Sequence, residues 1–198
     1  MNVERYGLEC RYHPIKTYLL NQSDRFIWFS PEWNLEFRGK SSETYEADDF
    51  IGKSFFDLLA GPTIGMIYRS LFQLVRKPES QTLDLTMRCD RFPFKILMRQ
   101  ELTRAESGQI RVQLAYVSCE ALDESASRSA YDWDGPLRMC SWCQSIYDER
   151  QGLWVSLEKS LGYLPLLHEP ELPAISHGCC PNCYQLIRGK IYEYSCRG

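Results

Sequence analysis

Several features typical of membrane, secreted and enzymatic proteins are missing from this chain of 198 residues. No stretch approaches the ~20 consecutive apolar residues that a membrane-spanning helix needs, so we expect no membrane association. Residues 1–5 do not lead into the apolar core of a secretory signal. We therefore expect a cytoplasmic protein whose thiols are reduced, because disulfides persist mainly in oxidising compartments.

Catalytic motifs are missing as well. The chain has three histidines, and none lies by sequence beside a serine or cysteine that it could activate as a nucleophile. It has neither a glycine-rich phosphate loop nor a kinase or cyclase segment. Two acidic pairs, Asp48 with Asp49 and Asp123 with Glu124, lie in polar stretches where carboxylates usually face solvent. We expect that the protein is not an enzyme.

An excess of basic charge is also missing. The formal net charge is −3, and residues 137–198 carry six basic and six acidic side chains. A protein that binds nucleic acid through its phosphates needs a local excess of Lys and Arg. Nucleic-acid binding by this chain alone is therefore not expected.

Cysteine, in contrast, is abundant. Nine cysteines are many for a reducing compartment unless some of them bind metal. Four form two Cys-x-x-Cys motifs with 36 residues between them. Two thiolates on one tight turn bind a metal ion from one side, and a second such turn completes a tetrahedron of sulfur around zinc. We predict one structural zinc ion bound by Cys140, Cys143, Cys180 and Cys183.

Two neighbours of the second motif are alternative ligands. Cys179 precedes Cys180, but with Cys183 it forms the looser spacing Cys-x-x-x-Cys. His177 is an alternative fourth ligand, since Cys3His sites are common; otherwise it shapes the turn or donates a hydrogen bond to a sulfur. A redox pair at Cys140 is a poorer interpretation, because no βαβ pattern surrounds it and the second motif would stay unexplained.

An acidic connector divides the chain. Residues 120–136 carry five acidic side chains and one basic side chain, and Asp134-Gly135-Pro136 is typical of a loop. We predict one domain in residues 1–119, with its core at about 20–119, and a small zinc-ribbon-like segment in residues 137–198. A segment of this size does not fold stably without metal, so zinc binding and its folding should be one process.

In the N-terminal part, the sequence pattern predicts two strands, short helices, one long helix and three further strands, in that order. Strands are predicted at 25–29 and 35–38, and a short helix at 55–59. Apolar residues at steps of three and four predict an amphipathic helix over 62–77. Alternating residues then predict three strands, at 81–89, 94–103 and 110–118, with Ser107-Gly108 as the last turn.

This order of elements resembles a PAS domain, and residues 49–59 resemble the segment before that family's long helix. Residues 141–143 and 177–183 resemble a group of bacterial PAS-like proteins that carry a C-terminal cysteine segment. The resemblance implies an α+β fold, in which a PAS-like antiparallel sheet with flanking helices is followed by a small zinc-binding segment. It also implies a sensory or signalling role.

PAS-like sensors hold haem, flavin or metabolites between helix and sheet. The helix predicted at 62–77 has no histidine to ligate haem, and the chain lacks the Asn-Cys-Arg-Phe-Leu-Gln motif of light-sensing flavin domains. We therefore expect neither haem nor flavin. Cys89 could ligate haem as a thiolate, but we interpret it as a small buried strand residue. Six apolar side chains are candidates for a small-molecule pocket: Phe55, Phe56, Met66, Ile67, Leu71 and Phe72.

Apolar side chains are also available for association. They lie before the first predicted strand and on the sheet: Tyr18, Leu19, Leu20, Leu97, Leu114 and Tyr116. Because large exposed apolar patches are rare on monomers, we predict a homodimer formed through the PAS-like half. The alternative is that the C-terminal segment covers this surface within one chain. Its own apolar side chains are Trp142, Trp154, Leu157 and Leu161.

The sequence thus predicts a non-enzymatic intracellular sensor or adaptor of a bacterial signalling or regulatory pathway. Its PAS-like domain would bind a ligand or dimerise, and its zinc site would serve contact with a protein partner. The first alternative is a transcription-associated regulator whose zinc segment contacts nucleic acid. The second is a haem-responsive or redox-responsive PAS sensor.

Overall fold

Two β-sheets, one on each side of the predicted connector, organise the protein. The computed structural model describes residues 15–33, 46–59, 61–79, 82–90, 94–121, 137–160 and 175–196. The five strands of the first sheet are β1 (Lys16–Leu20), β2 (Phe26–Phe29), β3 (Leu83–Arg88), β4 (Phe94–Arg104) and β5 (Ile110–Ala121). The four strands of the second sheet are β6 (Leu137–Cys140), β7 (Ile146–Asp148), β8 (Leu153–Val155) and β9 (Ile175–Gly178).

The first sheet is antiparallel throughout, with strand order β2-β1-β5-β4-β3. The chain between β2 and β3 contains 3-10 helices at Pro31–Trp33, Ala47–Phe50 and Phe55–Leu58, followed by helix α1 (Pro62–Val75). This is the order that the PAS resemblance implies. The predicted fold class is therefore confirmed: α+β, with a PAS-like antiparallel sheet, flanking helices and a four-cysteine segment after them.

Helix α1 covers one face of this sheet. It begins after Gly61, whose φ of 91° is readily adopted only by glycine, and Pro62 suits the first helical position. The apolar stripe predicted from the sequence is buried along the helix. Its members are Ile64, Ile67, Tyr68, Leu71, Phe72 and Val75. They pack with sheet residues that face the same side, including Leu20, Leu102 and Val112, which are fully buried.

The first strands differ in part from the prediction. β2 matches the strand predicted at 25–29, but the strand paired with it is β1, which precedes it in the chain; the strand predicted at 35–38 lies outside the described residues. Tyr18 and Leu20 are buried in β1 at 5% and 0% exposure. They are therefore core residues, and the prediction that they offer a dimerisation surface ahead of the sheet is wrong.

The three sheet residues predicted for association do not form one patch. Leu114 is the cross-strand partner of Gln100, and Tyr116 is the partner of Met98. Cross-strand partners share a face, and successive residues of a strand alternate between faces. Leu97 therefore lies on the face opposite to Leu114 and Tyr116.

The second sheet has strand order β8-β7-β6-β9, with β6 and β9 parallel and the other pairs antiparallel. The short helix α2 (Leu157–Ser160) follows β8, and helix α3 (Pro181–Cys196) follows β9. Its strands have only three or four residues each. A sheet this small has little core of its own, so its stability must come from elsewhere.

One hydrophobic core joins the two parts of the chain. Cys140, Trp142, Cys180 and Ile187 belong to the same cluster of buried residues as the apolar stripe of α1. β5 continues to Ala121, two residues into the predicted connector, and residues 122–136 lie outside the described residues. The four-cysteine segment is thus packed against the PAS-like part rather than separate from it.

One cysteine among the described residues differs from the expectation of reduced thiols. Seven described cysteines form no disulfide bond, whereas Cys119 is disulfide-bonded. Cys89 lies just beyond β3 and is exposed, so it is not the buried strand residue that we predicted. None of the helices among the described residues combines the length and the apolar character of a membrane span.

Candidate metal centre and aromatic cavity

The two Cys-x-x-Cys motifs lie side by side because β6 and β9 run parallel. Cys140, at the end of β6, is opposite Gly178, at the end of β9, and Cys180 follows two residues later. The Ser141 N–H donates a hydrogen bond of 2.9 Å to the Gly178 carbonyl, which joins the first turn to the end of β9. Parallel strands end at one edge of their sheet, so both turns approach the same point.

The first cysteine turn reverses the chain between β6 and β7. Gln144 has a φ of 57°, in the left-handed region. Its N–H donates to the Cys140 carbonyl at 2.9 Å, and the Cys140 N–H donates to the Ser145 carbonyl at 2.8 Å. These bonds close the turn and bring Cys143 back towards Cys140.

The second cysteine turn opens helix α3. Pro181 occupies the first helical position, where its missing N–H costs nothing. The Cys183 N–H donates to Cys180 Sγ at 3.4 Å, and the Cys180 N–H donates to Cys140 Sγ at 3.3 Å. These two donors hold the sulfur atoms of Cys140 and Cys180 in fixed positions beside the start of the helix, as hydrogen bonds to the ligands do in metal sites.

The four sulfur atoms lie close enough for one ion. The Sγ atoms of Cys140, Cys143, Cys180 and Cys183 are all within 4.8 Å of one another, and Cys143 Sγ is 3.7 Å from Cys180 Sγ. In a tetrahedron with metal–sulfur bonds of ~2.3 Å, sulfur atoms are about 3.8 Å apart. Cys140 and Cys180 are buried, so the site is partly shielded from water. This donor set fits a tetrahedral metal ion.

The pKa values of three cysteines in the cluster are shifted in opposite directions. Hydrogen bonds with the side chains of Cys140 and Cys183 hold the pKa of Cys143 far below its usual range. Contacts with Cys140 and Cys143 raise the pKa of Cys183 far above its usual range, and burial raises the pKa of Cys180 to about 11. One thiolate is thus stabilised by the thiols around it, and further thiolates would repel it. A divalent cation removes this repulsion and permits deprotonation of all four cysteines.

The two alternative ligands lie outside this group of four. His177 is exposed on β9, opposite Met139. Cys179 is half-buried beside the cluster, and its Sγ is 3.6 Å from the Cys180 carbonyl oxygen. Burial raises the pKa of the Cys179 thiol to about 12. The sulfur atoms that come together are those of the two Cys-x-x-Cys motifs.

Trp142, inside the first motif, anchors the cluster to helix α1. It is 4% exposed, and its ring stacks on the ring of Tyr68 with centroids 6.0 Å apart. The Tyr68 hydroxyl donates to Gln100 Oε1 at 2.9 Å within the core. Of the other apolar residues predicted for this segment, Leu157 is buried and Trp154 is partly buried, whereas Leu161 lies outside the described residues.

The four-cysteine segment also hydrogen-bonds to the outer edge of β3. The Arg88 N–H donates to the Trp142 carbonyl at 2.7 Å, and Gln144 Nε2 donates to the Arg88 carbonyl at 3.3 Å. Lys190 Nζ, on α3, donates to the Asp84 carbonyl at 2.8 Å. β3 is an edge strand, so these bonds pair backbone groups that no other strand of the sheet pairs.

Two further contacts join the segment to the PAS-like part. Glu158 on α2 forms salt bridges to Arg88 at 2.8 Å and to Lys95 at 3.4 Å. At the start of α1, a Cβ on Gly61 would lie 3.0 Å from the His177 carbonyl oxygen. Only glycine permits this approach without displacement of β9.

An aromatic cavity of about 240 Å3 lies at the opposite end of the first sheet. Side chains from β1, β2, β5 and the 3-10 helices line it: Tyr18, Phe26, Phe29, Trp33, Ala47, Phe50, Phe55, Leu58, Leu59 and Leu114. The lining is almost entirely apolar. Many of its rings touch one another; Phe26 and Phe29, for example, stack with centroids 5.0 Å apart.

Only Phe55, of the six predicted pocket residues, lines this cavity. Ile67, Leu71 and Phe72 are buried core residues. Met66 is 60% exposed, and the ring of Phe56 lies under the Arg69 guanidinium, with the guanidinium carbon 3.9 Å from the ring centroid. The signal that could have located the cavity is the density of aromatic residues between positions 18 and 33.

Comparisons with known proteins give low similarity throughout. No protein-family model matches the chain, and no curated protein matches it. A C-terminal domain from Streptococcus mutans is 15% identical, with a TM-score of 0.35; the match covers 62% of this chain and 86% of that one. The PAS domain of Bordetella pertussis BvgS is 13% identical, with a TM-score of 0.34, covering 58% of this chain and 80% of that one. The strand order and register of the first sheet, rather than these matches, define the fold.

Proposed function

We propose that this protein is a non-enzymatic sensor or adaptor whose C-terminal segment is fastened to a PAS-like domain by one zinc ion. The ion would be bound by the sulfur atoms of Cys140, Cys143, Cys180 and Cys183. The observation that carries the proposal is the convergence of these four atoms within 4.8 Å, in a segment that shares its core with α1. A cytoplasmic bacterial signalling protein is the setting that the PAS resemblance implies.

The metal would have a structural role. A site of four sulfur atoms suits zinc or iron. Four cysteine ligands complete the tetrahedron and leave no position for an activated water molecule, which catalytic zinc sites retain. A closed site therefore supports a protein that works through contacts rather than through catalysis.

Metal analysis of the full chain, purified without chelator and with a visible spectrum recorded on the same sample, tests this proposal. We expect one zinc per chain and no haem or flavin absorption. The Cys140→Ser variant should lose the metal, whereas Cys196→Ser should retain it, because Cys196 is exposed at the end of α3. Absence of metal in the native protein, or equal loss from both variants, would contradict the proposal.

The aromatic cavity supports the sensory part of the proposal. Its volume of about 240 Å3 exceeds the ~150 Å3 of an apolar cavity that holds benzene. An almost entirely apolar lining favours an uncharged ligand, since a charged ligand would lose its hydration without compensation. A small, uncharged aromatic or aliphatic molecule is therefore the ligand class that we propose.

Titration of the protein with indole, followed by amide NMR shifts, tests this site. Ala47 is 2% exposed and lines the cavity, so Ala47→Leu should fill it and abolish the shifts. Met66→Leu is the matched control, because Met66 is exposed on α1 and should leave binding unchanged. Shifts that persist in Ala47→Leu would place indole elsewhere.

We propose that the protein passes on its signal through contact with a partner protein. Two side chains of α3, Leu186 and Tyr192, are 70% and 71% exposed. Basic residues contribute only Arg188 and Lys190 to this helix, too few for a phosphate-binding stripe. This composition supports protein contact over nucleic-acid contact.

A further inference from the structure

We infer that the four-cysteine segment is a metal-dependent cap on strand β3, and that loss of the metal exposes β3 for antiparallel pairing with a second copy of this chain. The inference rests on the proposed function, because the metal is what holds the cap in place. It assigns an interaction surface, the β3 edge, and a partner, a second β3.

The backbone of β3 directs every second residue's N–H and C=O groups away from β4. The Cys89 N–H, just past the strand, donates to the Ile96 carbonyl of β4 at 2.9 Å. Since backbone groups alternate along a strand, those of Asp84, Thr86 and Arg88 face away from β4. This outward row makes the three hydrogen bonds to the segment: the Arg88 N–H donates to the Trp142 carbonyl, and the carbonyls of Arg88 and Asp84 accept from Gln144 and Lys190.

Of the two edge strands of the first sheet, β3 is the one more open to pairing with another chain. An exposed edge strand is a template for pairing with another chain. The opposite edge strand, β2, has four residues, and a bulge interrupts its pairing with β1. β3 has six residues and a continuous register with β4. A short, bulged edge resists pairing, whereas a regular edge accepts it.

The folded structure of the cap would depend on the bound metal ion. Its strands have three or four residues, and two of its core residues are the cysteines Cys140 and Cys180. A segment this small folds together with its metal. Without the metal, the turn that carries Trp142 and Gln144 loses its fixed position, and β3 loses hydrogen-bond partners.

The charge pattern of β3 is complementary to that of a second, antiparallel copy of the same strand. In an antiparallel pair with a two-fold axis at Thr86, Asp84 of one copy lies opposite Arg88 of the other, and Leu85 lies opposite Met87. Opposite charges at directly paired positions favour strand pairing. Arg88 would also be released from Glu158, its partner in the cap. A second copy is thus a complementary occupant of the exposed edge.

Light scattering on the full chain tests the inference, with metal content measured on each sample. In anaerobic buffer, the zinc-loaded protein should have the monomer mass of 23.2 kDa. Removal of zinc by a chelator should double the mass, and added zinc should reverse the change.

Two variants locate the surface. Thr86 is exposed, so Thr86→Lys should fold normally, but it would place two lysines against each other at the two-fold axis. We expect this variant to remain monomeric after chelation. Gln73→Lys adds the same charge at an exposed position of α1 and should dimerise like the unmodified chain.

Three results would overturn the inference: a zinc-loaded dimer, a chelated protein that stays monomeric or forms larger aggregates, or dimerisation of Thr86→Lys equal to that of Gln73→Lys. Absence of zinc from the starting protein would overturn the proposed function as well. Zinc that is present, and whose removal leaves the mass unchanged, would reject only the capping role.

Discussion

The indole ring of Trp142 stacks on the phenol ring of Tyr68, with ring centroids 6.0 Å apart and an angle of 24° between the ring planes. Trp142 lies in the turn between two candidate metal ligands, and Tyr68 lies in the helix that covers the PAS-like sheet. Because both rings are buried in one hydrophobic cluster, this contact joins the cysteine turn to the core of the first sheet.

Replacement of Trp142 should destabilise the protein strongly. Trp142→Ala removes a ring that is 4% exposed and leaves a cavity beside Tyr68, for which a loss of about 3–5 kcal/mol is typical. Denaturant unfolding measures the change in free energy. Trp28→Ala is the matched control: Trp28 is 44% exposed and should cost less than ~1 kcal/mol. Equal losses for the two variants would mean that the stacked pair does not hold the segment.

Removal of the Tyr68 hydroxyl should lower the free energy of unfolding by about 1–3 kcal/mol. The reason is that Tyr68→Phe leaves the Gln100 amide oxygen buried without this donor. Gln100 is 3% exposed, so water cannot readily replace the lost hydrogen bond. Thermal or denaturant unfolding measures the effect. Tyr192→Phe is the control, since Tyr192 is 71% exposed; we expect a change within ~0.5 kcal/mol.

Because the Tyr68 hydroxyl is buried, we expect the protein to lose stability at alkaline pH. Burial raises the pKa of Tyr68 to about 12, above the ~10 of an unfolded tyrosine. The folded protein therefore retains a proton that the unfolded chain releases. The contribution of Tyr68 is complete below about pH 10 and is lost as the pH rises towards 12.

Unfolding free energies measured from pH 9 to pH 12 test this sign. The decline should be shallower in Tyr68→Phe than in the unmodified chain. It should not vanish, because burial, the main cause, still raises the pKa of Tyr18 in this variant. Identical slopes for the two proteins would contradict the buried position of the Tyr68 hydroxyl.

A glycine at the start of α1 controls the approach of β9. Gly61→Ala should destabilise the protein, because a φ of 91° costs an L-residue about 1–2 kcal/mol, and the new Cβ would lie 3.0 Å from the His177 carbonyl oxygen. Gly189→Ala is the control on α3, where nothing lies within 4 Å of the added Cβ. Within a helix that change should stabilise by up to ~1 kcal/mol. Opposite signs in unfolding free energy are the expected result.

Much of the first sheet could be predicted from the sequence because its elements are long and periodic. The stripe from Ile64 to Val75 determines α1, and alternation determines β3, β4 and β5. β1 was missed because Tyr18, Leu19 and Leu20 are all apolar, which hides the alternation of buried and half-buried residues in that strand. The four cysteines that come together were recognisable because the spacing within each Cys-x-x-Cys motif is local.

The second sheet could not be predicted from the sequence. Its strands are too short for periodicity to be detected, and the parallel pairing of β6 with β9 joins residues almost forty positions apart. The cavity was missed for a similar reason, since its lining combines strands with 3-10 helices. Both features depend on contacts between distant residues rather than on a local pattern.

X-ray absorption at the zinc edge, on the full chain purified without chelator, is the most direct test of the central claim that one zinc ion fastens the C-terminal segment to the PAS-like domain. The proposed function predicts one zinc per chain, with four sulfur neighbours at about 2.3 Å and no nitrogen or oxygen neighbour. If a nitrogen neighbour is observed and disappears in His177→Ala, then His177 is a ligand in place of one of the four assigned cysteines. Absence of zinc, or iron in its place, would contradict the claim.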